Sequence, residues 1–522
     1  MQLVHQYLFE SALRHPSKSA LICDAEEVTY SSLAERIHAI GDVCIVEGLR
    51  KGDRVLLLLQ KKCEYVVAAY AVMRAGGIAV PVPERSSLET LQHITRDCSP
   101  SLVITNRTDL AHYPLLRDKV RCNFLFLEDV IPSSSSPSPT PQRSNEALER
   151  IAKLMELKED DNALILYTGN HDGHLRGAVF THRSLIQTTL TTNSLTKVDE
   201  TTNEFVNSPL TQSIGFGRLQ CLLFAGGTVN TRTGQFAPLE IVRHILRHDC
   251  NAISFTLQTF SLLSQHAPAL IKQISGQIRF VELATPSLNA ADRRQLTDMF
   301  PHARICLQYG LTEIPRSTFM EFGDHRRKYG TVGKPAPYAE ISVVDDAGAL
   351  LHRGQTGQIV VRGSHRFAGY WRENGNGFVP HEPSEWFYTG DIGLLDREGF
   401  LSVLGRKEEI INLAGLKISP LEVEEKIHEI YPGVEICVVG IPDPAGIVGE
   451  IPVLCYVAKD NKTIITSELS SALALRLEKD KIPRIVYRVS RLPKANNVVS
   501  RKELRTQLLQ GVPISVQQEI SS

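Results

Sequence analysis

The segment from residue 53 to residue 82 constrains the fold more than any other part of the sequence. It reads as a strand, "DRVLLLL", then a helical segment, "CEYVVAAYAVMRAG", and then a second strand, "GIAVPV". Gly76 and Gly77 suit the C-terminal end of that helix. Further apolar runs at 101–105 ("SLVIT") and 123–127 ("NFLFL") continue the βαβ rhythm. We therefore expect an α/β fold in which helices cover a largely parallel sheet.

Size and composition indicate a multidomain globular protein. The chain has 522 residues, and single cores stop growing near about 250–300. The formal net charge of −1 gives no general attraction to nucleic acid or to an anionic membrane. The ten cysteines show no CxxC pair, so we expect reduced, buried thiols and assign neither a disulfide nor a zinc site. With no signal-peptide pattern and no run of about 18 apolar residues, we expect no membrane span and a cytoplasmic location.

Three changes of pattern mark the organisation of the chain. The Ser/Pro-rich tract from Pro132 to Asn145 is too polar to pack and indicates an exposed loop. Residues 331–370 alternate short β-rich runs with Gly and Asp turns, which favours antiparallel strands. After Gly405, strands and helices mix over a length sufficient for a small domain. We therefore divide the chain into residues 1–405 and residues 406–522.

The stretch "LILYTGNHDGHLRGAVFTHRSL", residues 164–185, indicates a strand, a glycine-bracketed polar loop, and then a strand or the start of a helix. Glycines let backbone N–H groups converge on a phosphate, and Arg176 could add a charge-assisted contact to the same oxygens. Asp172, however, would repel an anion. The residues alone leave three interpretations open: a phosphate site, an altered phosphate site, or a polar turn.

Further motifs give this loop a context. "LQYGLTEI" (307–314) places a hydroxyl and a carboxylate after a glycine, and the segment beginning "WFYTGD" carries Asp391, Arg406 and Lys417 among glycines. Together with "GTVGKP" and "GQIVVRG…GYW", and in this order, they resemble the adenylate-forming (AMP-forming) acyl-CoA synthetase superfamily, which includes luciferases and nonribosomal peptide synthetase adenylation domains. The resemblance extends from "TYSSLAERI" to "RKELR".

The resemblance implies both a fold and a reaction. The fold would be a large N-terminal domain of layered α/β and distorted β-barrel parts, followed by a small mobile α+β domain, with the active site between them. The reaction would use ATP and Mg²⁺ to convert a small carboxylic acid into an acyl-adenylate. The acyl group would then pass to coenzyme A, to carrier-bound phosphopantetheine or to an amine, so an acyl carrier protein or an amino acid is a possible partner.

The resemblance also implies roles for particular residues. Thr312, Glu313 and Arg406 would be catalytic, with Glu313 as the Mg²⁺ ligand. Tyr309 would lie against adenine, and Asp391 would accept hydrogen bonds from ribose. The full set of implied nucleotide contacts is Thr168, Gly173, Arg176, Gly177, Thr285, Pro286, Gln308, Tyr309, Gly310, Thr312, Asp391 and Arg406. As alternatives, Glu313 could be a solvated turn acid, and Asp391 with Arg406 a surface ion pair of little energetic value.

Two departures from the family pattern concern phosphate chemistry. Gly169, His171 and Asp172 replace loop hydroxyls, so Arg176 alone keeps the basic charge there. At the C-terminal signature the chain reads "LPKANNVVSRKELR", which places Val498 or Val499 where the family has a catalytic lysine. The loss of one such charge typically slows a reaction by about 10²–10³. Lys494 or Lys502 could substitute after a local shift.

The features implied for the second half-reaction are better kept. Glu408 occupies the hinge position about which the small domain would rotate. Gly415 and Lys417 in "AGLKISP" would lie on the acceptor side, although Lys417 could equally be a solvated loop lysine. In "SPLTQSIGFG" (208–217), Thr211 and Gln212 replace an aromatic residue and a histidine, which puts the acyl pocket outside the ordinary fatty-acid pattern.

Two functions follow from this pattern. The first is an active AMP-forming ligase that transfers an acyl group to a thiol or an amine. The second is a member that has lost adenylation and acts only on a pre-formed acyl-adenylate or acyl group, or a non-catalytic binding or scaffold protein. The altered loop and the valines motivate the second, whereas the retained Thr312, Glu313, Asp391 and Arg406 favour the first.

Overall fold

The structure is a computed structural model. The residues that it describes are 2–83, 86–114, 116–130, 156–169, 175–234, 237–284, 288, 290–323, 328, 330–371, 378–414, 416–444, 449–458, 464–495, 498–510 and 517–520. The Ser/Pro-rich tract predicted as a loop lies outside them.

Helices and strands alternate up to about residue 309, and the described elements between residues 304 and 418 are all strands. In chain order the described helices are α1 (Val4–Arg14), α2 (Tyr30–Val46), α3 (Lys62–Arg74), α4 (Leu88–Cys98), α5 (Arg107–Ala111), α6 (Leu116–Lys119), α7 (Leu127–Val130), α8 (His182–Thr196), α9 (Ser213–Ala225), α10 (Pro238–Arg247), α11 (Leu257–His266), α12 (Pro268–Ile274), α13 (Ala290–Met299), α14 (Pro420–Ile430), α15 (Thr466–Ala474) and α16 (Arg501–Leu509). The described strands are β1 (Ser19–Cys23), β2 (Glu26–Thr29), β3 (Arg54–Leu58), β4 (Ile78–Pro81), β5 (Leu102–Thr105), β6 (Asn123–Phe126), β7 (Asn162–Gly169), β8 (Leu175–Thr181), β9 (Asn203–Val206), β10 (Thr228–Thr231), β11 (Ala252–Phe255), β12 (Phe280–Ala284), β13 (Arg304–Tyr309), β14 (Thr318–Glu321), β15 (Lys334–Pro335), β16 (Ala339–Val344), β17 (Gly357–Gly363), β18 (Gly369–Trp371), β19 (Phe378–Pro380), β20 (Phe387–Leu395), β21 (Leu401–Arg406), β22 (Ile411–Leu413), β23 (Leu416–Ile418), β24 (Glu435–Pro442), β25 (Glu450–Val457), β26 (Ile485–Val489), β27 (Lys494–Ala495), β28 (Val498–Val499) and β29 (Gln517–Ile520).

The βαβ unit predicted at residues 53–82 is present. Strand β3 pairs in parallel with β4 and with β5, and β5 pairs in parallel with β6. Helix α3, which connects β3 and β4, is buried almost throughout because it contacts helices α1 and α2 and strands β1, β3 and β4. Gly76, with φ at 81°, follows the end of α3, a left-handed conformation that glycine adopts without a Cβ clash.

These strands belong to an eight-stranded sheet in the order β19-β18-β8-β7-β4-β3-β5-β6. A nine-stranded sheet, in the order β15-β14-β13-β12-β11-β9-β10-β1-β2, forms a second layer. Helices α1, α8 and α9 contact one another. The main apolar core contains residues of these helices and of strands from both large sheets. The layered α/β arrangement expected from the sequence is therefore confirmed.

The residues predicted to form antiparallel strands do so, but they divide among three sheets. Strand β15 completes the nine-stranded sheet, whereas β16 and β17 form an antiparallel four-stranded sheet with β20 and β21. Strand β18 instead pairs with β8 of the eight-stranded sheet. The sequence pattern predicts strand type but contains no information on which sheet a short strand joins.

The end of the chain forms a smaller α+β unit. Strands β24, β25, β26 and β29 make a four-stranded sheet, and its apolar core runs from Ile411 to Leu504. A large N-terminal domain and a smaller C-terminal one are thus confirmed. The position of the boundary, between residues 405 and 406, stays a prediction. All ten cysteines carry free thiols, and nine of them are buried. Within the described ranges, every helix is too short or too polar to cross a bilayer.

Candidate active site

A cavity of about 350 Å³ lies where strand β7 of one large sheet ends close to the residues that follow β13 of the other. Its walls include Thr168 and Gly169 from the end of β7, the segment from Gln308 to Thr312, and Gln212 and Ser213 at the start of helix α9. Segments that are distant in sequence, and that were singled out separately in it, therefore line one space. The carboxyl ends of β-strands in open α/β sheets are where such folds usually hold ligands.

Tyr309, Asp391 and Arg406 form a connected group on one side of this cavity. Asp391 in β20 stands opposite Arg406 in β21 in the strand register. The Tyr309 hydroxyl donates to Asp391 Oδ2 at 2.6 Å, and Arg406 Nη1 lies 3.0 Å from Asp391 Oδ1. Asp391 is 3% exposed and Tyr309 2%. Burial and the adjoining Asp391 carboxylate raise the pKa of the Tyr309 phenol well above its usual value.

This arrangement decides one alternative left open by the sequence. Asp391 and Arg406 do form an ion pair, but the carboxylate is buried and both of its oxygens are engaged, so the pair is not a surface one. Their roles toward a nucleotide stay a prediction.

Glu313 is also buried, at 8% exposure, so it is not a solvated turn acid. Its backbone oxygen accepts from the Phe367 amide at 2.8 Å, and its Oε1 accepts from the Tyr370 hydroxyl at 2.7 Å. Burial raises the pKa of Tyr370, and the Glu313 carboxylate raises it further. The phenol therefore keeps its proton and acts as the hydrogen-bond donor. The Arg176 guanidinium lies 5.7 Å from the centre of the Tyr370 ring, within the range of a cation–π contact.

The turn that carries Thr312 and Glu313 requires glycine at its start. A Cβ on Gly310 would stand 2.6 Å from both the Arg316 amide nitrogen and the Ile314 carbonyl oxygen. Any larger residue would therefore open the turn. Thr312 is half-buried and lines the cavity, whereas Gln308 is buried beside it in β13.

The strand predicted before the altered phosphate loop is present, and of the two alternatives after the loop, a strand or the start of a helix, the structure has a strand. Strands β7 and β8 pair antiparallel, with Thr168 opposite Arg176 and Tyr167 opposite Gly177. A Cβ on Gly177 would come 2.8 Å from Ile165 Cγ2, so the packing of this glycine is explained without a ligand. Residues 170–174, with the predicted contact Gly173, lie outside the described residues.

The remaining predicted positions fall in several places. Thr285 and Pro286 of the adenine-side turn, and Gly415 on the acceptor side, lie outside the described residues. Glu408 is exposed in the turn after β21. Lys417 Nζ lies 3.2 Å from Asp346, which also pairs with Lys407 at 3.1 Å. These groups are well exposed, which agrees with a solvated lysine and leaves the acceptor role a prediction.

The C-terminal hairpin bears on the missing lysine. Strands β27 and β28 pair with Lys494 opposite Val499. Lys494 Nζ forms an ion pair with Glu435 at 2.7 Å, and Val499 packs against the core of the small domain. In this arrangement the Lys494 ammonium is paired with Glu435, and both side chains are partly exposed.

Sequence reasoning missed two residues that the structure brings to the site. Tyr370 was part of a quoted motif, yet its bond to Glu313 joins residues 57 positions apart. Arg316 follows the "LTEIP" turn directly and lines the cavity while 8% exposed. A basic residue directly after the "LTEIP" part of a motif was the available signal for Arg316.

Comparison with known proteins agrees with this geometry. Residues 8–371 match the family described as AMP-binding enzyme, and residues 422–498 match the AMP-binding enzyme C-terminal domain. The chain is 26% identical over 548 residues to a long-chain-fatty-acid–CoA ligase from Escherichia coli O157:H7, which covers 95% of this chain and 93% of the relative. It is 26% identical over 485 residues to a feruloyl-CoA synthase from Amycolatopsis sp, covering 92% of this chain and 93% of the relative.

Among solved structures, ATP-bound MatB from Rhodopseudomonas palustris is similar to this chain with a TM-score of 0.82 at 26% identity. That similarity covers 97% of this chain and 99% of MatB. Since the family model alone matches well over half of the chain, the protein belongs to the AMP-binding enzyme family, the adenylate-forming acyl-CoA synthetase superfamily.

Proposed function

We propose that this protein is an AMP-forming acid–thiol ligase: it activates a carboxylic acid with ATP as an acyl-adenylate and passes the acyl group to the thiol of coenzyme A. The observation that carries the proposal is that the end of β7 and the Gln308–Thr312 segment line the same cavity. The activities of the relatives, a long-chain-fatty-acid–CoA ligase and a feruloyl-CoA synthase, support the acid and the thiol acceptor.

The residues of this chain would act mainly by positioning and by neutralising charge. Asp391, held by Tyr309 and Arg406, would receive the ribose hydroxyls in a fixed orientation. Thr312 would donate its hydroxyl to a phosphate oxygen. The exposed Arg176, opposite Thr168 at the mouth of the loop, would place a positive charge near the phosphates.

The donor set at Glu313 fits a Mg²⁺ ion. A carboxylate oxygen is the hard ligand that Mg²⁺ prefers. In the described part of the chain no lysine or arginine pairs with Glu313; the partner of its side chain is the neutral Tyr370 phenol. When bound, the ion would offset phosphate charge. Glu313 would supply one ligand, and Tyr370 would hold that carboxylate in place.

The proposal extends to the two domains. Residues 1–405 would bind the acid and ATP, and residues 406–522 would rotate about Glu408 between the half-reactions. Gly415 and Lys417 would then face the acceptor. Carrier-bound phosphopantetheine or an amine is the alternative acceptor to coenzyme A.

The direct test is mass spectrometry of the products formed from ATP, Mg²⁺, a mixture of carboxylic acids, coenzyme A and amino acids. We expect AMP together with an acyl-CoA. Glu313→Gln, which keeps the shape and removes the metal-binding charge, should lower the yield at least about tenfold without loss of folding. If acyl amides form and acyl-CoA does not, the acceptor is an amine and not a thiol. If no acid gives a nucleotide-dependent product, the proposal of a ligase is contradicted.

A second candidate function has its own observation. Val499 packs against the core of the small domain and Lys494 pairs with Glu435, so this hairpin presents no spare lysine. A member with weak adenylation would still transfer the acyl group from a pre-formed acyl-adenylate. Supplying a synthetic acyl-adenylate with coenzyme A separates the two functions: rapid transfer with slow use of ATP supports the second, and equally rapid steps support the first.

A further inference from the structure

A second cavity lies behind the first, and Arg316 lies between them. Leu166, Ser213, Pro315 and Arg316 line both spaces. The second space extends under helices α8 and α9 and has a volume of only about 20 Å³, against about 350 Å³ for the first. Such a space holds about one water molecule. The second space is therefore too small for an acyl chain, and Arg316 is the charged residue among the four that separate the two spaces.

The position of Arg316 is held by its surroundings. Its φ is 54°, a left-handed conformation that a non-glycine residue adopts only at a cost in free energy. Its backbone oxygen accepts from the Tyr338 hydroxyl at 2.9 Å. Its guanidinium packs on Gly217 of helix α9, where a Cβ would lie 2.2 Å from Nη1. These contacts fix the side chain and the backbone of Arg316, so this buried arginine is an ordered part of the cavity wall.

The guanidinium of Arg316 has donors to spare. Nη2 contacts the Ile214 carbonyl at 3.0 Å and Glu282 Oε1 at 3.4 Å, and Nη1 contacts the Ser213 carbonyl at 3.5 Å. Nε is buried without a hydrogen-bond partner in the described part of the protein. Of the five N–H groups of an arginine, at most three are thus engaged, and two of those contacts are long. A ligand with a hydrogen-bond acceptor would satisfy the rest.

The charges around Arg316 already balance. Glu282 Oε2 lies 3.1 Å from Arg218 Nε, and the same Nε donates to Glu204 Oε1 at 2.7 Å and to Glu204 Oε2 at 2.9 Å. Two arginines thus face two carboxylates, all of them buried. A second anionic group on the ligand would leave this buried cluster with a net negative charge, which is costly in a low-dielectric site. An uncharged acceptor would not.

We propose that Arg316 determines the acid specificity of the enzyme: it ends the acid-binding cavity and selects a short carboxylic acid whose distal part carries an uncharged hydrogen-bond acceptor, a hydroxyl or a carbonyl. This inference rests on the proposed function, because it takes the cavity to be the site of the acyl-adenylate. It separates this chain from ligases of long apolar acids, and it agrees with the polar replacement Gln212, which lines the same cavity.

The test uses stable acyl-adenylate analogues, which need no catalysis. The wild-type protein is titrated by calorimetry with 5′-O-(N-acylsulfamoyl)adenosines that carry butanoyl, 3-hydroxybutanoyl, 4-hydroxybutanoyl, 3-carboxypropanoyl or octanoyl groups, and with 5′-O-sulfamoyladenosine as the parent. We expect one of the hydroxyacyl analogues to bind about tenfold or more tighter than butanoyl, as for a hydrogen bond to a charged group. The octanoyl analogue should bind at least about tenfold more weakly than butanoyl.

Each of the other outcomes overturns either the inference about Arg316 or the proposed function. Equal binding of the hydroxyacyl and butanoyl analogues, tighter binding of the 3-carboxypropanoyl analogue, or tighter binding of the octanoyl analogue overturns the inference while leaving the proposed function intact. Failure of the parent compound and all analogues to bind overturns the proposed function itself, and the inference with it.

Two variants separate the bulk of Arg316 from its hydrogen bonds. Arg316→Gly tolerates the positive φ and opens the second space, so the octanoyl analogue should gain about tenfold in affinity and the hydroxyl preference should disappear. Arg316→Met keeps most of the bulk, so the hydroxyl preference should disappear while octanoyl stays excluded. Arg36→Ala, at a helix surface where Arg36 pairs with Glu26, is the matched control and should behave as wild type. Octanoyl binding unchanged in Arg316→Gly, with thermal unfolding also unchanged, would contradict the blocking role.

Discussion

The phenol of Tyr370 donates a 2.7 Å hydrogen bond to Oε1 of Glu313, and this contact joins two segments that the sequence keeps far apart. Tyr370 lies in β18, opposite Ala178 of β8, the strand that leads out of the altered phosphate loop. Its ring also contacts the Arg176 guanidinium. One tyrosine therefore links the proposed metal ligand to the basic residue retained by the loop.

Tyr370→Phe should weaken the use of Mg²⁺. The change removes one hydrogen bond to a carboxylate and keeps the ring beside Arg176, and such a bond is worth about 1.5–3 kcal/mol. We expect the Mg²⁺ concentration for half-maximal adenylate formation to rise roughly tenfold, as measured by pyrophosphate release. Tyr113→Phe, which removes a phenol bonded to the Ser86 carbonyl, is the control. A loss of thermal stability without a shift in the Mg²⁺ titration would make Tyr370 purely structural.

Asp391→Asn should raise the KM for ATP about tenfold or more, since it removes the charge that two neighbours orient and that would accept from ribose. Tyr309→Phe leaves the Arg406 ion pair in place, so its effect should be smaller. Nucleotide affinity measured by calorimetry checks both variants. Unchanged ATP affinity in Asp391→Asn would place Asp391 outside the nucleotide site.

Lysine introduced at Val498 or Val499 should speed adenylate formation and leave acyl transfer nearly unchanged. A correctly placed charge-stabilising group is worth up to about 10² in rate, although an error of about 1 Å can cancel that gain. The two half-reactions are measured separately, with ATP and acid or with a supplied acyl-adenylate and coenzyme A. Lys494→Ala is the informative companion, since Lys494 is paired with Glu435 and its loss should not slow adenylation. A large loss would show that Lys494 already supplies the charge.

Arg218→Met should destabilise the N-terminal domain by about 3–5 kcal/mol, because it leaves Glu204 buried without its charged partner. The Glu204 and Glu282 carboxylates outweigh burial and raise the pKa of Arg218, so the arginine is charged in the folded state. Denaturant unfolding measures the change. Arg183→Met, whose exposed side chain pairs with Glu159 and Asp160, should have little effect. Equal stability of the two variants would mean that the buried cluster relaxes without penalty.

The sequence alone determined the local parts of this protein. The βαβ unit at residues 53–82, the strand that precedes the altered phosphate loop and the change of pattern after Gly405 follow from hydrophobic periodicity and glycine placement, which act over a few residues. The order of the motifs identified the superfamily and the fold of two domains. These signals are local or depend on order along the chain, so they can be read from the sequence alone.

Only the tertiary structure decided which side chains meet. For Asp391 and Arg406 the sequence left a surface ion pair open as an alternative. In the structure Asp391 is buried and Arg406 half-buried, because two antiparallel strands place them opposite each other. Tyr370 reaches Glu313 because β18 leaves its sequence neighbours and joins the sheet of β8. Arg316 closes the cavity because Gly217, about a hundred residues earlier, leaves room for its guanidinium. Burial and side-chain contact depend on strand pairing between distant segments, and periodicity within one segment carries no information about that pairing.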